Sequence, residues 1–454
     1  MLLSANMMSF QDLFLTPIYL LLLLGLAYAL RGRFTNAYTR RYFIPAYALK
    51  LGGAIALGLI YEFYYSGGDT TNYYNHAALM YKAFGDSFPV GLKLLTSDGE
   101  YDPAIYPYTS QMFWFTPGST EMVIVRIAAV IALLCFNTYT VMAMLFATLS
   151  FTGMWAMYIT FVKIRPQLYK QFTLAVFFMP SVFFWGSGLM KDSICIGALG
   201  LLFYGFYKAT IQKRSIITSA AIGFLGAYVL YVTKVYILLS FLPPAMLWVF
   251  NENSQRIQSS LVRMLAKPVL IAVGVGVGAF AATNLTAGDE RFDVEKIGER
   301  SKITKEYLSE YVTSGSAYDI GELDGSLNSI VKVAPMAVFT ALFRPFLFEA
   351  RNPVMLLSAM EATFFIYLTV MMFFRTGLFG TLRMIATEPT VTFCFLFAII
   401  MAVGVGTTSG NFGTLVRYKI PLMPFFLAGL FIMQARVDSL ARLKRGNVNL
   451  QRAA

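Results

Sequence analysis

Long apolar runs almost free of charge recur along this chain, and they decide what it can fold into. A helix needs about 20 apolar residues to cross the hydrocarbon core of a bilayer. Residues 14–30, 43–65 and 138–162 are the first runs of that kind. Of 454 residues, 57% are hydrophobic and 13% charged, against roughly 25% charged in an ordinary soluble chain. The alternating strands of about 10 residues that an outer-membrane barrel needs are absent from the sequence. The expectation is an all-α polytopic membrane protein, one membrane domain over residues 1–454.

Charge between the runs orients them. Arg31, Arg33, Arg40 and Arg41 follow the first run, which puts that loop in the cytoplasm and the loop after Tyr65 outside. The basic stretches 163–170, 208–214, 256–267 and 375–383, with the tail 435–454, then fall in the cytoplasm only if 121–136 does not cross. That piece is too short for a span, so it reads as a helix along the outer interface with Arg126 snorkelling to the surface. The other crossings are 172–185, 193–207, 216–231 and 235–250 (hinged near Lys234), 268–284, 353–374, 391–406 and 420–434. The expected total is about eleven.

The net charge of +12 follows from this loop bias and does not call for a nucleic-acid partner. Cys135, Cys195 and Cys394 all sit in apolar runs, which suggests neither a disulfide framework nor a metal cluster. The N-terminus has no basic leader segment with a cleavage site, so it is not read as a removable signal peptide. The expected location is a membrane, taken as a bacterial inner (plasma) membrane.

Two long outer loops, 66–136 and 285–352, decorate this domain. The second is crowded with acids, from Asp289 to Asp324, and reads as a solvated helical cap. It ends in 334–348, an apolar piece interrupted by Pro335, Arg344 and Pro345, which reads as interfacial or re-entrant.

Four polar motifs face the outer side. Gly68-Asp69-Thr70-Thr71-Asn72-Tyr73 opens an amphipathic helix that carries His76, the only histidine. Asp69 fits two roles, a helix N-cap or a base. Trp185-Gly186-Ser187-Gly188-Leu189-Met190-Lys191-Asp192 brings backbone close to a partner and stands Lys191 and Asp192 at a helix start. Its structural alternative is a tight turn capped by Asp192. Arg344, among aromatics in a proline-broken segment, is costly at membrane depth unless paired or functional; Glu349 is its nearby partner. Arg417-Tyr418-Lys419-Ile420-Pro421 opens the last span, as a binding element or as an aromatic and cationic belt. Cations at the surface suit a lipid-borne phosphate, and a nearby carboxylate suits deprotonation of a hydroxyl.

With Gly68-Asp69 through Tyr73-Tyr74, the embedded Arg126 and the late Arg417-Tyr418 with Pro421 and Pro424, the chain resembles the GT-C class of membrane glycosyltransferases. The resemblance is one of pattern, touches most of the chain, and rests on short, degenerate motifs. It implies transfer of a sugar from a polyprenyl-phosphate carrier to a glycan, lipid or protein acceptor on the outer face, by direct displacement with inversion. Asp69 would be the general base. Lys191, Asp192, Arg344, Arg417, Tyr418, Tyr73 and His76 would bind substrate. Two features depart from the class: a leading helix with an outer N-terminus, and no second acid beside Asp69. No Walker loop, dinucleotide fingerprint or histidine-rich metal site is present, so no cofactor is expected, and metal dependence stays open. The competing expectations are a polymerase or ligase acting on lipid-pyrophosphate-linked glycan, and a transporter of lipid-linked glycan.

Overall fold

The computed structural model describes residues 7–253, 318, 321 and 327–453. The expected span 268–284 and most of the loop 285–333 lie outside the described residues. Among the described residues the chain is helical, with no strand. Eight helices are long and apolar enough to cross a membrane: Phe10–Phe34, Arg40–Phe63, Tyr139–Ile164, Lys191–Ile211, Ile216–Asn253, Pro353–Thr387, Pro389–Thr408 and Met423–Leu443.

Three expected runs take a different form. Residues 172–185 are not one helix. Tyr169–Thr173 passes into a π turn at Leu174–Phe178, and the chain leaves helical geometry at Met179 (φ −76°, ψ 122°). It restarts at Pro180, because proline excludes the residue before it from helix yet suits a first helical position. The runs 216–231 and 235–250 belong to one element, Ile216–Asn253, broken at Lys234 (φ −137°, ψ 76°), where the hinge was expected. The basic tail is not a separate segment, since the last helix, Met423–Ala453, continues through it.

The described chain forms two compact units. One comprises Met1–Met157, Val182–Gly205 and Ile217–Val235. In it, helices Tyr139–Ile164 and Lys191–Phe206 meet through bare backbone: a Cβ on Gly153 would run into the Gly197 backbone, and one on Gly200 into the Gly153 carbonyl. Lipid tails are as apolar as side chains, so such close packing is what holds helices together in a membrane. Helix Thr120–Cys135 begins and ends among segments that the charge rule puts outside. Glu121 Oε1 accepts from Lys191 Nζ at 2.6 Å, and the Asn137 carbonyl accepts from Tyr74 Oη at 3.1 Å. Arg126 does not simply run to the surface. Its guanidinium donates to the Ser97 carbonyl at 2.6 Å and faces Asp98 at 4.0 Å, because a half-buried cation needs acceptors.

The other unit comprises Tyr158–Ser181, Phe206–Ile216 and Tyr236–Ala454. Its core is aromatic: Trp248 and Phe393 rings lie 5.0 Å apart, Phe397 and Phe425 4.7 Å, and Phe161 and Phe425 5.5 Å. Three stretches expected in the cytoplasm meet at one end of it. Arg165 and Arg436 both pair with Glu388, and Arg375 pairs with Asp438.

Candidate functional site

In the first unit the site grows from two turns. Gly67 and Gly68 have φ of 135° and 137°, a region closed to most L residues, and a Cβ on Gly68 would meet the Tyr61 ring at 2.6 Å. Gly68 is therefore the N-cap position, and helix Asp69–Asp86 starts with Asp69 as its first residue. Asp69 is not the cap that one reading of the sequence made it. It sits in the first turn, where the helix dipole favours a carboxylate.

Tyr73, one turn along, is buried at 4% exposure with its ring 4.7 Å from Trp114. Burial first, then the fields of Asp69, Glu121 and Asp192, raise its phenol above the usual range, while Lys234 opposes them. His76 turns elsewhere. Its ring stands edge-on to Phe113 at 4.6 Å and Trp114 at 5.1 Å. Both ring nitrogens are buried without a hydrogen-bond partner, and burial pulls the imidazole down to about 4.

The second turn supplies the charges. Lys191 Nζ donates to Glu121 Oε1 at 2.6 Å and to Thr120 Oγ1 at 2.8 Å. Asp192, almost fully buried, accepts from Lys234 Nζ at the break in its helix. Carboxylates and ammonium groups thus alternate, so Lys191 and Lys234 each have a counter-charge. The glycines of this turn are spatial requirements. A Cβ on Gly188 would strike the Leu57 side chain at 2.6 Å, and one on Gly186 the Val182 carbonyl at 2.5 Å. The Gly186 carbonyl accepts from Lys50 Nζ and from Ser150 Oγ, which Lys50 also reaches at 3.1 Å. Lys50 is wholly buried within a span.

In the second unit, Arg344 grips Glu349 through Nε at 3.1 and 3.2 Å and through Nη2, with its guanidinium 5.0 Å over the Phe412 ring. Burial works to raise the Glu349 carboxyl, but the Arg344 hydrogen bonds and the Phe346 N–H outweigh it and hold it below the usual range. Arg417 and Tyr418 are half-buried at the end of helix Phe412–Tyr418, whose N-cap Asn411 accepts from Thr414 N at 2.9 Å. The next residue, Lys419, is the deeply buried one, at 1% exposure. Its Nζ donates to the Arg344 carbonyl at 2.9 Å. Burial pulls its ammonium below the usual range, and the Glu361 carboxylate opposes that.

Of the residues expected from the sequence, the first unit gathers Asp69, Tyr73, Lys191 and Asp192 and sets His76 in an aromatic slot. The second gathers Arg344 with the segment of Arg417 and Tyr418. Sequence reasoning missed Glu121, Lys234, Lys50, Lys419 and Glu361. Lys50 and Glu361 carried a usable signal, each being an ionisable group inside an apolar run. Among the described residues no group of three or more His, Cys, Asp or Glu side chains could hold a metal ion.

In comparisons with protein-family models, curated proteins and solved structures, nothing matches this chain. The class that fold and charges define is an all-α polytopic membrane protein with paired ionic side chains buried at its helix ends.

Proposed function

We propose that this protein is an integral-membrane glycosyltransferase of the GT-C kind. It moves a sugar from a polyprenyl-phosphate carrier to an acceptor hydroxyl on the outer face of a bacterial inner membrane, in a chain of about eleven crossings. The observation that carries the reading is the setting of Tyr73. From one turn past Asp69, it lies in the fields of Asp69, Glu121, Asp192 and Lys234, so the carboxylate loop and the lysine turn serve one locality. In this reading Asp69 accepts the acceptor's proton. Lys191 exchanges Glu121 for a donor phosphate oxygen, since both are oxyanions suited to an ammonium.

The test is sugar transfer in membranes carrying Asp69→Asn. A base role requires normal expression with transfer reduced by about 10²–10⁴-fold. Unimpaired transfer removes Asp69 from the mechanism.

A second reading, a transporter of lipid-linked glycan, has an observation of its own. Transporters combine broken helices with charges at membrane depth. Here Lys50 is buried within a span, and the Ile216–Asn253 and Pro353–Thr387 elements are interrupted at Lys234 and Gly377. Movement of lipid-linked glycan across vesicles without transfer would favour it.

A further inference from the structure

Glu361 lies inside the Pro353–Thr387 span at 3% exposure, and the transfer chemistry has no use for it. A carboxylate at that depth is costly unless it is paired or does something. Its oxygens are held at the helix break described above: Ser181 N donates to Oε1 at 2.6 Å, and Ser181 Oγ bonds Oε2. Ser181 Oγ in turn lies 3.2 Å from Ser358 Oγ, which is oriented toward the Val354 carbonyl at 3.5 Å.

A hydroxyl both donates and accepts, so this chain of oxygens can run in either direction. With Glu361 ionised, Ser358 donates to Ser181 and Ser181 donates to the carboxylate. With Glu361 protonated, the new O–H on Oε2 donates to Ser181, Ser181 to Ser358, and Ser358 to the Val354 carbonyl. Both states are satisfied without moving a heavy atom. A carboxylate built only as a fixed ion would not need the second direction.

The site is also reachable. A cavity of about 290 Å³ is lined by Leu174, Phe178, Met179, Pro180, Met360 and Glu361, among others. Its wall is apolar, and Met360 and Leu357 are 58% and 47% exposed. On a membrane span an exposed apolar face is the face that lipid covers. Among the described residues, the charged side chain whose field reaches Glu361 is Lys419; Ser181 and Ser358 are the other polar groups that face it.

We propose that Glu361 is a reversible proton-binding site opening toward the lipid, with Ser181 and Ser358 as a hydrogen-bond relay that serves both protonation states. The carboxylate takes one proton from hydronium, forming the O–H bond at Oε2 as the hydronium O–H bond breaks to leave water, and gives the proton back to water on ionising. No electron or other group moves. The proposal stands apart from the glycosyltransferase reading and survives if that fails.

An apolar carbodiimide tests it, because this reagent attacks protonated carboxyls and partitions into lipid. The intact protein in lipid vesicles is treated with dicyclohexylcarbodiimide from pH 5 to 9, and the peptide containing residue 361 is analysed by mass. Labelling should be about tenfold or more greater at pH 6 than at pH 9 and absent in Glu361→Gln. A Met360→Cys protein reports on the groove through reaction with an apolar maleimide. No labelling of Glu361 at any pH while Met360→Cys reacts would overturn the proposal, leaving a fixed ion. Equal labelling at every pH would overturn it as well, leaving a permanent acid. An unreactive Met360→Cys with unlabelled Glu361 would refute the opening toward lipid.

Discussion

Lys234 reaches Asp192 from the one position in its helix where the backbone is not helical. The break and the ion pair are parts of one device: the turn at Lys234 points its ammonium at a carboxylate that is 2% exposed. Removing the cation alone strands a buried anion. Lys234→Met should cost about 3–5 kcal/mol, and Lys234→Met combined with Asp192→Asn should recover most of it. Thermal unfolding in detergent of both single variants and the double variant measures the coupling. Additive losses would mean that the pair is not coupled.

Arg417 separates a binding role from an anchoring one. A guanidinium holds a phosphate with two parallel hydrogen bonds, which an ammonium cannot reproduce. Arg417→Lys should weaken use of the sugar donor, seen as a raised KM, while the unfolding temperature stays unchanged. Full activity in both Arg417→Lys and Arg417→Ala would reduce it to a belt residue.

His76 should make the protein acid-sensitive. Its folded value is about 4, below the ordinary 6.5, so the unfolded chain takes up the proton first as pH falls. The stability it contributes is complete above pH 6.5, is lost between about 6.5 and 4, and does not change further below that. The loss should be on the order of 3 kcal/mol. His76→Phe keeps a ring beside Phe113 and Trp114 and removes the titrating group. Unfolding curves across pH 4–7 should flatten in that variant, and an unchanged pH dependence would assign the effect to another residue.

Sidedness can be read with single cysteines, because Cys135, Cys195 and Cys394 are all buried. In right-side-out vesicles a membrane-impermeant maleimide should label Asn75→Cys and leave Ser439→Cys untouched until the membrane is opened. Labelling of Ser439→Cys from outside would invert the charge-based topology, and with it the interfacial reading of Thr120–Cys135.

Long apolar helices were legible because hydrophobic length is a local property, although about eleven crossings were expected and eight such helices stand among the described residues. The hinge at Lys234 was legible too, as the one charge between two apolar runs. The break at Met179 was not, although Pro180 announces it, because the apolar run continues across the proline and length alone reads it as one helix. The charge partners were harder still. Lys191 and Asp192 stood out as neighbours in sequence, but their counter-charges Glu121 and Lys234 lie far away in the chain, and only folding pairs them. Lys50 and Glu361 were passed over because each lies in a run that otherwise meets the composition of a span, Glu361 as its single charge and Lys50 with only Glu62 near the far end. Asp69 was placed correctly at a helix start, yet one residue too early for its role, since the glycine before it takes the cap.

The backbone contact at Gly153, Gly197 and Gly200 has a mechanical consequence. Two helices that touch without side chains between them behave as a single strut, because neither can roll or slide without collision. Any bending of the helices is therefore excluded from that strut. It falls to the joints where the hydrogen-bond ladder is already open, Lys234 in one unit and Gly377, at φ 68°, in the other.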